Sequence, residues 1–161
     1  MVDACERTRL KALHAYQILD TAPEQIYDDL VRLAAHVCAT PMAILTLVDE
    51  RRQWFKAVVG LPIRETDRSV SFCAYTIGGD VPFIVPDAGR DPRFAGNPLV
   101  TGEPGIQFYA GVPLVSASGA RLGSLAVLDR VPRELTPEQL TMVTALAQQA
   151  MSLLELRLQR Q

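Results

Sequence analysis

The sequence of 161 residues contains no apolar run that is long enough to cross a membrane. Its longest purely apolar segments, such as residues 42–45 and 125–128, are far shorter than the roughly 20 residues that a membrane-spanning helix needs. Residues 1–7 include two acidic side chains and no apolar segment, which is unlike a secretory signal. We therefore expect a cytoplasmic protein with no membrane partner.

The sequence also lacks a cluster of basic residues. Its 16 Lys and Arg are balanced by 18 Asp and Glu, and the formal net charge is −2. Because nucleic acids and anionic membranes are recognised by concentrated positive charge, neither is expected as a partner. The content of 48% hydrophobic and 21% charged residues is typical of an ordinary globular protein, and the length suits one domain over residues 1–161.

Cysteine is scarce, and the motifs of common catalytic sites are missing. Cys5, Cys38 and Cys73 are odd in number and far apart, which argues against a disulfide framework and favours a reducing compartment. The sequence has no paired Cys or His spacing for zinc, no phosphate-binding glycine loop and no serine nucleophile motif. We therefore expect no catalytic residues, no metal and no cofactor.

What the sequence does contain is a strongly apolar hairpin at residues 106–129, with a short polar link at residues 116–120. Both faces of its strands are apolar, which is typical of a sheet that is covered on each side. Small residues within it leave room for a cavity or for a close approach of backbones. These residues are Gly111, Gly123, Ser124 and Ala126.

The remaining elements are predicted from periodicity and turn residues. We expect a tail at residues 1–5, a strand pair and a short central strand, and two long loops that form the walls of a pocket. The predicted helices cover residues 6–17, about 24–39, 69–77 and 137–160, the strands cover 42–48, 53–59 and 83–85, and the loops cover 60–72 and 86–105.

Two helix starts carry capping signals. Thr21 and Glu24 have the spacing of a capping box before the second helix, and Thr136 and Gln139 have the same spacing before the last helix, where Pro137 occupies the first helical position. The second helix is predicted to place one apolar face on the sheet. That face comprises Ile26, Leu30, Leu33, Ala34, Val37 and Cys38.

The last helix has two apolar stripes where a surface helix normally has one. The first stripe is predicted to cover the sheet, and it comprises Leu140, Val143, Ala147, Ala150 and Leu154. The second stripe predicts a homodimer interface, and it comprises Met142, Leu146, Leu153 and Leu156.

The order of these elements resembles the GAF domain, a relative of the PAS fold. Six segments resemble the bacterial GAF subgroup that occurs with sensor histidine kinases and diguanylate cyclases: residues 16–24 (YQILDTAPE), 48–60 (VDERRQWFKAVVG), 71–77 (SFCAYTI), 91–100 (DPRFAGNPLV), 108–114 (FYAGVPL) and 123–129 (GSLAVLD). The resemblance implies an α+β sandwich with an antiparallel sheet of five or six strands. The N- and C-terminal helices would cover one face, and a loop-lined pocket would lie on the other.

The resemblance also implies a set of ligand-binding residues on the pocket face: Trp54, Phe55, Phe72, Cys73, Tyr75, Asp87, Arg93, Phe94, Tyr109 and Ser124. Three alternatives remain open for them. The aromatic residues could simply fill the space between sheet and loops. Asp87 and Arg93 could pair with each other or with Asp91 to brace the loop. Cys73 could be a small buried apolar residue and not a reactive thiol.

Several specialised GAF functions require residues that this sequence does not have at the corresponding positions. Bilin-binding members commonly have His after the attachment cysteine, but Ala74 follows Cys73 here. Haem-binding members need an axial ligand such as His in the pocket, but His14 and His36 lie on predicted helices on the other side of the sheet. The spaced Asn, Lys, Phe, Asp and Glu signature of the cyclic-nucleotide members is absent as well. The free methionine sulfoxide reductases need several cysteines around the pocket.

The resemblance therefore implies a non-catalytic sensory domain of bacterial signal transduction, such as a two-component system. It would bind an unidentified small molecule, form a homodimer through its terminal helices and act on a kinase or cyclase effector. Two other functions remain: a structural dimerisation module without a ligand, and a thiol-dependent reductase.

Overall fold

A computed structural model describes residues 3–161, in which six strands form one antiparallel sheet in the order β3-β2-β1-β6-β5-β4. The helices are α1 (Ala4–Ala15), α2 (Gln25–Cys38), α3 (Cys73–Thr76), α4 (Pro98–Thr101) and α5 (Pro137–Gln159). The strands are β1 (Met42–Val48), β2 (Arg52–Val59), β3 (Glu65–Asp67), β4 (Phe83–Val85), β5 (Phe108–Val115) and β6 (Arg121–Asp129). The described helices include none that is both long and apolar enough to span a membrane.

The hairpin formed by β5 and β6 lies in the interior of the sheet, as its apolar faces predicted, with β6 as one of the two central strands. β6 pairs with both β1 and β5, and the hairpin strands are buried over almost their whole length. β4 was predicted to be central but lies at the edge, where it pairs only with β5. Its three apolar residues gave no information about how many neighbours the strand has.

The sheet separates two apolar cores. The helix-side core joins α1, α2 and α5 to one face of the sheet and includes Leu13, Leu30, Leu45, Trp54 and Val143. The loop-side core fills the opposite face beneath α3, α4 and the long loops, and it includes Phe55, Phe72, Phe94, Ile106 and Tyr109. The predicted GAF-like sandwich, with terminal helices on one face and loops on the other, is confirmed.

The small residues of the hairpin serve close packing inside the sheet. A Cβ atom on Gly123 would lie 1.9 Å from the main-chain oxygen of Thr46, so glycine allows the β1 backbone to approach. A Cβ atom on Gly111 would lie 2.2 Å from the Tyr109 hydroxyl, so the tyrosine side chain covers that position. Neither glycine opens space for a ligand.

The N-terminal helix begins earlier than predicted, and the second helix has a different cap. α1 begins at Ala4, where the Asp3 carboxylate accepts from the Glu6 backbone N–H at 2.7 Å. The prediction of a tail over residues 1–5 is therefore wrong for residues 4 and 5, while residues 1 and 2 lie outside the described part of the chain. The capping box at Thr21 is absent because its hydroxyl donates to the carbonyl of Ile18 at 2.6 Å.

α2 does not place all of its predicted apolar face on the sheet. Ile26 and Leu33 are 52% and 49% exposed, whereas Tyr27, Leu30 and Val31 are buried. Ile26 and Leu33 are seven residues apart, so they lie on the same side of the helix, about two turns from each other. They form the outward edge of the apolar stripe.

The start of α5 is as predicted. The Thr136 hydroxyl accepts from the Gln139 backbone N–H at 3.1 Å, and the Gln139 side chain accepts from the Thr136 N–H at 2.9 Å. Val143, Ala147, Ala150 and Leu154 are buried in the helix-side core. In the second stripe, Leu146 and Leu153 are partly buried against that core, while Met142 and Leu156 are exposed.

Candidate functional site

A small cavity lies on the loop side of the sheet, where the sequence predicted a pocket. Its volume is about 20 Å³, and a water molecule needs roughly 10–15 Å³ by this measure, so it has room for about one water. The lining is apolar except for four residues, and none of the lining residues is charged. It consists of Ile44, Gln53, Phe55, Leu61, Ile63, Thr66, Phe72, Cys73, Leu99, Pro104, Ile106, Tyr109 and Leu128.

Gln53 supplies a polar wall that the sequence prediction missed. Its amide nitrogen donates to the Thr66 hydroxyl at 2.8 Å, and its amide oxygen accepts from the Ser71 hydroxyl at 2.7 Å. Ser71 in turn accepts from the backbone N–H of Ala74 at 3.1 Å, at the start of α3. The amide thus ties β2 to β3 and α3. The available signal was its position two residues before Phe55, on the same face of the strand.

Beneath the cavity, hydroxyl groups surround the Cys73 thiol. The sulfur accepts from the Ser124 hydroxyl at 2.9 Å and lies 3.2 Å from the Tyr109 hydroxyl. The Tyr109 hydroxyl is also 2.7 Å from Thr76 Oγ1. All four residues are buried, so these bonds satisfy groups that would otherwise lose their hydration. We call Cys73, Thr76, Tyr109 and Ser124 the thiol–hydroxyl cluster.

Burial makes the Cys73 thiol a weak nucleophile. It raises the pKa of Cys73 and outweighs the opposite effect of the hydroxyls that donate to the sulfur. Burial also raises the pKa of Tyr109 well above its ordinary value. Cys38 lies in the helix-side core across the sheet, and Cys5 is exposed on α1. Cys73 therefore has no second cysteine beside it with which to form a disulfide.

We expect Cys73 in the native protein to resist alkylation. Iodoacetamide reacts with thiolates, and the raised pKa of Cys73 together with its complete burial leaves almost no accessible thiolate at pH 8. Cys5 is the internal control because it is exposed on α1. Peptide mass spectrometry after a timed reaction should find Cys5 modified and Cys73 unmodified until the protein is denatured. Equal labelling of the two cysteines in the native protein would contradict this prediction.

An aromatic stack runs from the cavity to the surface. Phe72 stacks on Phe94 with ring centroids 4.2 Å apart, and Phe94 meets the edge of the half-exposed Tyr75 ring at 4.9 Å. The Arg93 guanidinium lies 4.9 Å from the centroid of the Phe83 ring. These contacts fill the space between the 86–105 loop and α3.

The charged residues of the loop pair with each other. Arg93 donates from Nε to Asp91 Oδ1 at 3.0 Å and from Nη2 to Oδ2 at 2.6 Å, and these bonds lower the pKa of Asp91. Asp87 lies 3.6 Å from the Arg90 guanidinium. Asp87 and Arg93 therefore brace the loop and do not line the cavity.

The structure divides the predicted ligand-binding residues into five groups. Phe55, Phe72, Cys73 and Tyr109 line the cavity, and Ser124 lies beneath it in the thiol–hydroxyl cluster. Phe94 backs Phe72, while Tyr75 of α3 and Asp87 and Arg93 of the 86–105 loop lie outside the cavity lining. The prediction that Trp54 lines the pocket is wrong. Trp54 belongs to the helix-side core, because adjacent residues of β2 point to opposite faces and Phe55 faces the loops.

No group of three or more His, Cys, Asp and Glu residues is arranged to hold a metal ion in residues 3–161. His14 pairs with Asp49 at 2.9 Å on the surface, and His36 is exposed on α2. Both histidines lie on helices of the helix side, away from the cavity.

Comparison with known proteins finds a matching family and a curated relative. The model of the GAF domain matches residues 22–154. A cyclic di-GMP phosphodiesterase of Pseudomonas aeruginosa is 45% identical over 128 residues, which are 80% of this chain and 22% of that protein. The chain thus spans about a fifth of the length of the relative that it matches.

Solved structures with the same fold come from proteins of different function. The GAF domain of a phosphoenolpyruvate-protein phosphotransferase from Coxiella burnetii has a TM-score of 0.67 and 18% identity, with 93% of this chain and 94% of that chain covered. The free methionine-R-sulfoxide reductase of Neisseria meningitidis has a TM-score of 0.68 and 13% identity, with 100% and 96% covered. At these identities the similarity concerns the fold alone.

Proposed function

The chain belongs to the GAF domain family, and we propose that it is a non-catalytic regulatory module of a bacterial signalling protein. The observation that carries this proposal is the site itself, where a small and nearly apolar cavity lies above a buried, protonated thiol. A thiol-dependent reductase would need an accessible thiolate and a resolving cysteine, and the surroundings of Cys73 favour neither.

The effector is proposed from the relative. The curated protein is named as a cyclic di-GMP phosphodiesterase, and this chain matches only 22% of its length. We infer that the chain regulates a signalling enzyme, which would be a kinase, a cyclase or a phosphodiesterase. The regulated activity would then belong to another part of the signalling protein.

The proposed ligand is a small, neutral and mainly apolar molecule. The cavity lining offers the Gln53 amide, the hydroxyls of Thr66 and Tyr109 and the Cys73 sulfur, but no charged group. Transfer of an unpaired anion into such a site costs several kcal/mol, which disfavours nucleotides and carboxylates. A molecule larger than water would bind by displacing lining side chains that are only partly buried, such as Leu61 and Ile63.

Native mass spectrometry of the purified protein tests the ligand. Gentle ionisation should retain a small neutral molecule that is lost under denaturing conditions, and enlargement of the cavity by Leu99→Ala should change how much is retained. Detection of the apo mass alone, in both the wild type and Leu99→Ala, would contradict ligand binding.

A structural dimerisation module is the second candidate. The specific observation in its favour is the size of the cavity, which at about 20 Å³ is nearly filled by the protein's own side chains. In this case the loop-side core would only stabilise the sheet, and the function would reside in the helices. Apo mass together with an intact dimer would favour this candidate.

Both candidates use a homodimer through the helices. Met142 and Leu156 of α5 are each 46% exposed, and Leu146 and Leu153 lie between them on the same helix. Ile26 and Leu33 add an apolar edge on α2, which packs against α5. The Glu24–Arg157 pair at one end and the Gln139–Val37 hydrogen bond at the other show that the two helices are antiparallel. A second copy is the proposed partner of this surface.

We expect Leu156→Glu to convert the dimer to a monomer. The side chain is exposed in the single chain, so the substitution should leave the fold intact while burying a charge in the dimer. Val131→Glu is the matched control, because Val131 is also an exposed apolar residue but lies outside the helices. Analytical ultracentrifugation should show monomer for Leu156→Glu and dimer for Val131→Glu. A dimer of unchanged affinity in Leu156→Glu would exclude this interface.

A further inference from the structure

Lys56 is a buried lysine that plays no part in the site described above. It is one of two lysines in the sequence, and its side chain is 1% exposed. The ammonium group lies 2.9 Å from Thr21 Oγ1, 2.6 Å from the carbonyl oxygen of Ala22 and 2.6 Å from Glu24 Oε2. Its three N–H donors therefore have three acceptors, all in the segment that precedes α2.

Lys56 lies at an irregularity of β2. Thr46 of β1 pairs with Phe55 and Leu45 pairs with Ala57, so Lys56 is an extra residue without a partner in β1. Such a bulge changes the direction of the side chains around it. Phe55 lines the cavity, and Lys56, the next residue, reaches the helix side. One peptide unit thus joins the cavity wall to the helix layer.

The segment that Lys56 holds also supports the end of α5. Glu24 Oε2 accepts from Arg157 Nη1 at 3.2 Å, and the Tyr16 hydroxyl donates to Glu155. The Gln161 amide donates to the carbonyl oxygen of Tyr16 at 3.1 Å. The last turns of α5 therefore rest on residues 16–24. Glu24 accepts from Lys56 and Arg157 with the same oxygen atom, which makes it the link between β2 and α5.

We propose that the bulge at Lys56 couples the cavity wall to the C-terminal end of α5. Displacement of Phe55 moves the peptide that carries Lys56, and the ammonium then pulls on Glu24 and loosens its bond to Arg157. The Lys56–Glu24 contact is short at 2.6 Å, as charge-assisted hydrogen bonds are, whereas the Glu24–Arg157 contact is longer at 3.2 Å, so a shift at the bulge first moves Glu24 and then weakens its bond to Arg157. This inference rests on the proposed regulatory function, for which it supplies the route from cavity to helix.

Hydrogen exchange with no ligand present tests the coupling. Phe55→Leu shortens a cavity-lining side chain on the bulge, and Phe72→Leu shortens another lining side chain that lies outside β2. The readout is the exchange rate of amides 155–160 relative to amides 143–148 of the same helix. We expect Phe55→Leu to raise this ratio roughly threefold to tenfold, as for residues of one connected network, and Phe72→Leu to leave it unchanged.

The coupling should disappear when the contact of Lys56 or of Arg157 with Glu24 is removed. In Lys56→Met, and separately in Arg157→Gln at the accessible end of the route, an added Phe55→Leu should no longer change the ratio. Arg157→Gln keeps the test decisive if Lys56→Met does not fold. An equal response to Phe55→Leu and Phe72→Leu, or a Phe55→Leu effect that persists in Arg157→Gln, would overturn the proposal. Because no ligand or effector is involved, these outcomes are independent of the mass-spectrometric test of ligand binding.

Discussion

Gly123→Ala is expected to unfold the protein or to lower its free energy of unfolding by about 4 kcal/mol or more, a size that few single substitutions reach. The added Cβ would lie 1.9 Å from Thr46 O, 2.7 Å from Thr46 C and 2.8 Å from the Leu47 Cα atom. These are backbone atoms of β1, so no side-chain rotation relieves the overlap. The strands must separate where β1 and β6 form the centre of the sheet.

A stability of about 5–15 kcal/mol is typical of a domain, so this one methyl group removes a large share of it. Gly96→Ala is the matched control, because a Cβ atom there would meet nothing within 4 Å. Urea unfolding followed by circular dichroism should give a normal midpoint for Gly96→Ala and a much lower midpoint, or no folded baseline, for Gly123→Ala. A shift below about 1 kcal/mol for Gly123→Ala would show that β1 can move aside.

The parts of the fold that were predicted correctly have local causes. The alternating apolar residues of β5 and β6 and the Thr136 capping box are complete within a few consecutive residues, so their signals do not depend on the rest of the chain. The edge position of β4 and the outward position of Ile26 depend on distant partners. A strand of three apolar residues is compatible with one neighbour or two, and an apolar stripe does not state how wide the contact with the sheet will be.

The candidate site was harder to predict because its contacts join distant residues. Cys73 and Ser124 are 51 positions apart, and only the fold brings the thiol to the hydroxyl. Trp54 and Phe55 were both assigned to the pocket, although a strand can place only one of two adjacent residues there. Lys56 gave no signal of burial, since lysine is normally exposed and its three acceptors become neighbours only in the folded chain.

Lys56→Ala should lower the free energy of unfolding by about 3.5–4.5 kcal/mol, and Lys56→Met by about 1–2 kcal/mol. Alanine removes three methylenes of the buried stem, worth about 2.4 kcal/mol at 0.8 kcal/mol each, in addition to the hydrogen bonds of the ammonium. Methionine keeps most of the stem, so only the loss of the hydrogen bonds remains, at about 1–2 kcal/mol. The acceptors lie near the surface, where Glu24 and Ala22 can be hydrated again, which keeps the loss below that of a fully enclosed ion pair.

The pH dependence of the stability loss in the Lys56 variants separates the contribution of the ammonium charge from that of the buried methylenes. The hydrogen bond from Lys56 lowers the pKa of Glu24 below its ordinary value of 4.5, with a smaller effect from Arg157. A lowered pKa stabilises the fold above the unfolded value, and this contribution is lost as the pH falls through the folded value. The stability difference between wild type and Lys56→Met should therefore shrink as the pH falls below 4.5. Urea unfolding of both proteins at several pH values measures this difference in free energy of unfolding. A difference that stays constant into the acid range would show that the Lys56–Glu24 ion pair does not contribute to stability.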